Sequence, residues 1–258
     1  MLLIKEQLTE SALTSLFSGA ALAVRIPSYF PGDLCERLGR RVLASIRADP
    51  ASPRRIYLSN VRPFTEVAGD STARASYLST AAAAMERLRG LCAPFLSPAD
   101  RLRCELDEAW PGGAKLLRFQ GRPLVFGMVR VWETGAQARP HFDVIGELLT
   151  STEEVGHLVD QLGVNVFLST VDGEGAVEIW NRGLEDEDRR RHGVAGTYGY
   201  RRELLGEPSL VIRPQVGDLV LLRSSRLHAV APTSTGERIT LSGFVGYSSV
   251  ADQLLLWS

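Results

Sequence analysis

The apolar positions of the first hundred residues recur at helical spacing. Ile4 and Leu8, then Leu13, Leu16 and Phe17, predict one or two short helices over 3–18, with Gly19 placed to end the run. Ala21 to Ile26 reads as a strand. Behind Asp33, a residue suited to N-capping, Leu34, Leu38, Val42 and Ile46 repeat every four residues and predict an amphipathic helix to about Arg47. A further stripe, Ala75, Leu78, Ala82, Met85, Leu88 and Leu91, predicts a helix over 71–91 that Pro94 and Pro98 bring to an end. A third, shorter helix is expected over 100–108, before a turn at Trp110-Pro111-Gly112-Gly113.

After that turn the period falls from about 3.6 residues to about 2. Strands are predicted near 115–119, 124–134, 163–170, 176–181, 209–213, 218–223 and 238–247, separated by glycine, proline and polar clusters. Short strands without intervening helices predict a mainly β (α+β) protein, an antiparallel sandwich or jelly roll. Residues 1–112 form its helical support layer, packed on one sheet, and 113–258 its core. No repeat of about 20 to 50 residues and no flexible linker divides the chain, so 1–258 reads as a single domain. Residues 185–203 are expected as a charged loop or short helix inserted between strands.

Composition narrows the partners. With 29 basic and 30 acidic side chains the net charge is −1, so no overall field draws the chain to nucleic acid or an anionic membrane. No apolar run approaches the roughly 20 residues of a spanning helix. Cys35, Cys92 and Cys104 are far apart and lack metal-type spacing, which fits buried thiols in a reducing compartment, and a cytoplasmic protein is expected. A small-molecule substrate is the expected partner, with the oligomeric state, homodimer included, left open.

The candidate chemistry begins at Arg139-Pro140-His141-Phe142-Asp143, which closes the alternating run that starts near Leu124. On extended backbone His141 and Asp143 point to one side, so an imidazole and a carboxylate converge. Two histidines and one carboxylate are the set by which non-haem iron(II) oxygenases hold metal while leaving positions open. The third ligand must come from His157, His192 or His228. A 2-oxo acid chelated to such a metal needs a cation for its far carboxylate, best a guanidinium. Both His192 and His228 have an arginine ten residues on, Arg202 and Arg238. Context separates them, because His192 lies in Arg189-Arg190-Arg191-His192-Gly193, whereas His228 follows the apolar run from Val216 to Leu222 and Arg238 heads another from Ile239 to Val245.

In these residues the chain resembles the 2-oxoglutarate/Fe(II)-dependent oxygenases, whose signature reads here as His141-Phe142-Asp143, His228 and Arg238-Ile239-Thr240. The resemblance covers about 115–250 and includes Gly173-Glu174-Gly175 and Pro214-Gln215-Val216-Gly217-Asp218. It implies a double-stranded β-helix, the cupin-like jelly roll, and Fe(II), 2-oxoglutarate and O2 as cofactor and cosubstrates, with succinate and CO2 released and a C–H bond hydroxylated. It also implies His141, Asp143 and His228 as metal ligands and Arg238, with Thr240, on the far carboxylate.

Trp110-Pro111-Gly112-Gly113, Gly121-Arg122, Gly127 to Arg130 and Tyr198-Gly199-Tyr200 look similar to a group that tailors free amino acids and related small metabolites. That group includes radical halogenases, in which Gly or Ala replaces the carboxylate; this chain keeps Asp143, which favours hydroxylation. Arg74, Arg130, Trp132 and Trp257 are the candidates for substrate contact, with Trp180 a further pocket or core candidate. A non-catalytic metal-binding jelly roll, or an oxygenase acting on a peptide or carrier-tethered substrate, stands as the alternative.

Overall fold

The structure is a computed structural model, and it describes residues 1–49, 56–143, 157–183 and 199–258. In chain order the elements are β1 (Leu2–Ile4), α1 (Glu10–Phe17), β2 (Ala23–Ile26), α2 (Gly32–Ala48), α3 (Phe64–Val67), α4 (Ser71–Cys92) and α5 (Pro98–Ala109), followed by strands. These are β3 (Ala114–Leu116), β4 (Arg118–Phe119), β5 (Arg122–Pro123), β6 (Met128–Trp132), β7 (Ala138–His141), β8 (Asp160–Ser169) and β9 (Val177–Ile179). β10 (Leu210–Ile212), β11 (Leu219–Arg223), β12 (His228–Val230), β13 (Arg238–Tyr247) and β14 (Leu254–Trp257) complete the chain. The larger sheet runs β1-β2-β11-β8-β13-β14-β3, with β6 also paired to β13, and the smaller runs β10-β9-β12-β7. The pair is the expected mainly β jelly roll, whose facing sheets enclose a cavity.

Strand alternation decides what each face carries. On β13, Ile239, Leu241 and Val245 join Val164, Val166 and Leu168 of β8 in the main core, packed under α1, α2 and α5. The opposite face of the same strands presents Arg238, Thr240, Ser242 and Phe244 beside Asn165 and Phe167 to the cavity. The register is fixed by continuous antiparallel pairing of β13 with β8 from Thr240↔Phe167 to Tyr247↔Asp160.

The support layer differs from the expectation in four places. Leu2–Ile4 is not helical but a parallel edge strand on β2, and β2 itself pairs with β11, so residues 1–112 contribute strands to the larger sheet. The first helix starts only after Thr9, whose hydroxyl accepts from Ala12 N. Helix α4 is rotated from its predicted stripe: Tyr77, Ala81, Ala84, Leu88 and Cys92 are buried, and Ala75 and Ala82 are exposed. Tyr77 sets that rotation, accepting a bond from Val125 N at 3.0 Å and donating to Ser258 O at 3.3 Å. Asp70 caps α4 through Thr72 N and Ala73 N, whereas Asp33 sits in the first turn of α2 and not at its cap. Among the described residues no helix is long and apolar enough to cross a membrane. The charged segment expected at 185–203 lies largely outside the described residues.

One buried carboxylate ties the N-terminal strands to the jelly roll. Asp218, 1% exposed, accepts from Arg25 Nε at 2.7 Å, Gln215 N at 2.7 Å and Ser28 N at 3.2 Å. Gly217 precedes it with φ +87°, and a Cβ there would lie 2.3 Å from Phe30 O, so the turn tolerates glycine alone. Asp218→Ala strips three donors of their acceptor and is expected to lower stability by roughly 2–3 kcal/mol. A urea midpoint within error of the wild-type value would contradict that role.

Candidate active site

β7 and β12 are antiparallel neighbours in the smaller sheet, with His141 directly opposite His228. The two rings therefore meet, centroids 4.3 Å apart. Just past β7, Asp143 N donates to Ser224 O at 2.9 Å, which holds the carboxylate beside the rings. Asp143 Oδ2 lies 3.6 Å from His141 Nε2 and 3.4 Å from His228 Nε2. The ligand atoms of His141, Asp143 and His228 all fall within 4.8 Å of one another.

The imidazoles are oriented for ligation. His141 Nδ1 is 2.6 Å from Arg139 O and His228 Nδ1 is 2.9 Å from Arg226 O, in each case the carbonyl two residues back. A carbonyl can only accept, so Nδ1 carries the proton and Nε2 keeps its lone pair toward Asp143. Burial disfavours charge on both partners, yet the pair overrides it: His141 and His228 hold the Asp143 carboxyl well below its usual range, and Asp143 lifts His141 above its ordinary 6.5. Three donors, two neutral nitrogens and one carboxylate, fit a divalent first-row metal bound on one face.

Across the cavity, of about 690 Å³, Arg238 is 2% exposed. Its Nη1 donates to Gly175 O at 2.8 Å, while Nε has no partner among the described residues. Burial, and then the nearby Arg130 guanidinium, push its pKa down to about 10. A guanidinium so placed calls for an anion. Thr240 shares the face, its Oγ1 accepting from Trp132 Nε1 at 3.1 Å, and Ser242 Oγ donates to Asn165 Oδ1 at 2.9 Å.

Of the residues expected to contact substrate, Arg130 and Trp132 line the cavity and Arg74 and Trp257 do not. Arg74 donates to Ala68 O and lies over the ring of Phe119 on β4 at 5.3 Å, outside the cavity lining. Trp257, fully buried, shares the face of its cross-strand partner Phe244, on which it stacks at 5.7 Å, but is packed among Leu117, Phe119 and Val125 and is not on the cavity lining. Trp180 is core, donating to Gly206 O. His157 is exposed in a turn, and His192 lies outside the described residues. Sequence reasoning missed Asn165 and Ser242, polar breaks in otherwise apolar strands, and Pro63, Thr65 and Glu66 at α3.

A jelly roll with this two-histidine, one-carboxylate set defines an oxygenase-type metal site, and comparison with known proteins places it more closely. Residues 121–258 match the family model described as carrier-protein-independent halogenase WelO5. The chain belongs to that family, within the 2-oxoglutarate/Fe(II) oxygenases. L-isoleucine 3(1)-dioxygenase of Pantoea ananatis (strain AJ13355) is 30% identical over 135 residues, covering 50% of this chain and 46% of that protein. The match thus spans about half the length of this relative. In fold the chain is similar to an N-substituted L-amino acid dioxygenase from Burkholderia ambifaria AMMD, with TM-score 0.66 and 17% identity over 96% of this chain and 91% of that one. The same enzyme in complex with alpha-KG gives 0.62 and 16% over the same shares.

Removing one nitrogen donor separates ligand from bystander. His228→Ala is expected to weaken Mn(II) binding by at least about a hundredfold, and His157→Ala to leave it within about twofold; equal losses would contradict the assignment. Metal requires unprotonated His141, and the metal-free protein holds that proton to a pH above 6.5. Mn(II) affinity is therefore full at higher pH and starts to fall, on acidification, before an ordinary histidine titrates. A pH-independent affinity between about 8 and about 6 would rule this linkage out.

Proposed function

We propose that the protein is an Fe(II)- and 2-oxoglutarate-dependent dioxygenase that hydroxylates an unactivated C–H bond of an amino acid or related small metabolite. The observation that carries this is the pairing, in one cavity, of the His141, Asp143 and His228 donors with the buried guanidinium of Arg238, which meets no acid among the described residues. In this reading the three donors hold Fe(II). Arg238 forms paired charge-assisted bonds to the far carboxylate of 2-oxoglutarate, with the Thr240 hydroxyl proton, freed because its oxygen accepts from Trp132, donated to the same group. Bound together with O2, the metal and cosubstrate supply an oxidant strong enough to break an aliphatic C–H bond, and succinate and CO2 leave.

The chain's own residues govern what that oxidant meets. Phe142 and Tyr200, edge to face at 5.5 Å, wall the metal side, and Phe167, Val177 and Val230 add apolar lining. Asp143 occupies the position that members acting as halogenases leave to Gly or Ala, which favours hydroxylation. The amino-acid oxidation named for the Pantoea and Burkholderia proteins supports a substrate of that class.

Oxygen-dependent succinate release on addition of substrate, with Fe(II) and 2-oxoglutarate both required, tests the reading; cosubstrate binding without turnover of any amino acid would instead favour a binding protein on the same frame. Arg238→Gln is expected to weaken 2-oxoglutarate binding by roughly thirtyfold or more, about 2 kcal/mol, while metal affinity is retained. Unchanged cosubstrate binding would contradict the role of Arg238.

A further inference from the structure

Among the described residues the cavity lining carries four formal charges besides neutral imidazoles: Arg130, Arg238, Asp143 and Glu66. Under the proposed activity, on which the matching of these charges rests, a divalent metal and doubly negative 2-oxoglutarate leave that balance at zero. Asp143 is matched by the metal and Arg238 by the cosubstrate's far carboxylate. Arg130 remains to be matched by something else, and Glu66, exposed at the cavity edge, shares its charge with Arg62 from outside the lining.

Both present open valences. Arg130 lies over the Trp132 ring, 3.9 Å from guanidinium carbon to ring centroid, and 5.3 Å from the Tyr57 ring. Stacking satisfies the face of a guanidinium and leaves its N–H edge for a planar anion. Its Nε is buried without an acceptor among the described residues. Among the described residues Glu66 takes its bonds from Arg62, Nε at 3.0 Å and Nη2 at 2.8 Å, on Oε2 alone, which leaves Oε1 for a donor.

The backbone brings the two together. Phe64 N donates to Ser258 O at 3.0 Å, and Ser258 Oγ accepts from Gly127 N at 3.0 Å and Met128 N at 3.3 Å. Helix α3 is thereby docked at the start of β6, two residues before Arg130. An isolated bridge between Tyr57 and Arg130 lays the preceding segment along the same strand.

We propose that Arg130 and Glu66 read the two charges of a zwitterionic substrate, Arg130 its carboxylate and Glu66 its ammonium group. The substrate is then a free α-amino acid, not its N-acylated or esterified form. The absence of other acids on the lining, among the described residues, leaves Glu66 as the group that meets an ammonium once Asp143 is on metal.

Isothermal titration of the Mn(II)-loaded, 2-oxoglutarate-saturated protein under anaerobic conditions tests this. The probes are a panel of aliphatic L-amino acids, L-isoleucine among them, each with its N-acetyl derivative and its methyl ester. The best free amino acid is expected to bind at least about tenfold tighter than either derivative. Glu66→Gln should erase the preference over the N-acetyl form and Arg130→Gln the preference over the ester, with Arg130→Lys intermediate. Both Gln variants should keep 2-oxoglutarate affinity within about threefold and melt within a few degrees of wild type.

Tighter binding of the N-acetyl form, no binding by any free amino acid, or loss of 2-oxoglutarate in Arg130→Gln with amino-acid binding intact would each overturn the assignment. Failure of the wild-type protein to take up 2-oxoglutarate is a separate result. It removes the proposed activity itself, whereas cosubstrate uptake without charge discrimination removes only this assignment.

Discussion

A buried guanidinium that meets no acid among the described residues is the constraint around which the cavity is arranged. β13 carries Arg238 into the space between the sheets because its alternate residues, Ile239, Leu241 and Val245, are locked in the core beneath the helices. A one-residue slip would exchange those positions, setting Ile239 over the cavity and Arg238 in the core, so the apolar packing enforces the polar site. β8 on one side and β6 and β14 on the other pair along the strand and exclude that slip.

The metal donors depend on a second piece of strand geometry. β7 and β12 bring His141 and His228 into direct register, and the register shifts immediately afterwards, between His228 and Val230. Each ring is pinned by the carbonyl two residues behind it, so the strand ends themselves select the tautomer that can bind metal. Burial opposes charge on Asp143, but the two facing histidines, through charge and hydrogen bonding, hold its carboxyl acidic.

Much of this is legible in sequence because it is local. The single residue between His141 and Asp143 and the strand context of His228 and Arg238 predict a convergence that the structure displays. Other features depend on how elements are rotated or paired, which periodicity does not encode. Leu2–Ile4 is too short to tell helix from strand, and becomes a strand only because β2 offers a parallel edge. Arg74 is a reasonable inward-pointing candidate by spacing, but Tyr77 turns α4 through its bonds to Val125 and Ser258. Trp257 has the parity of its partner Phe244 across β13 and β14, but it is packed among Leu117, Phe119 and Val125 and not on the lining, a placement along the sheet that spacing does not encode. Glu66 leaves no signal at all, since α3 has only four residues and its approach to β6 runs through backbone contacts of Phe64 and Ser258.

The central claim is that His141, Asp143 and His228 form one metal centre that accepts a bidentate 2-oxo acid. X-ray absorption of the Fe(II)-loaded protein, recorded anaerobically with and without 2-oxoglutarate, addresses it most directly. The account predicts two imidazole ligands in both states, with light-atom oxygen scattering added in a chelate ring when the cosubstrate is present, and one imidazole in His228→Ala. A centre with one imidazole in the wild-type protein, or one unaltered by His228→Ala, would contradict it.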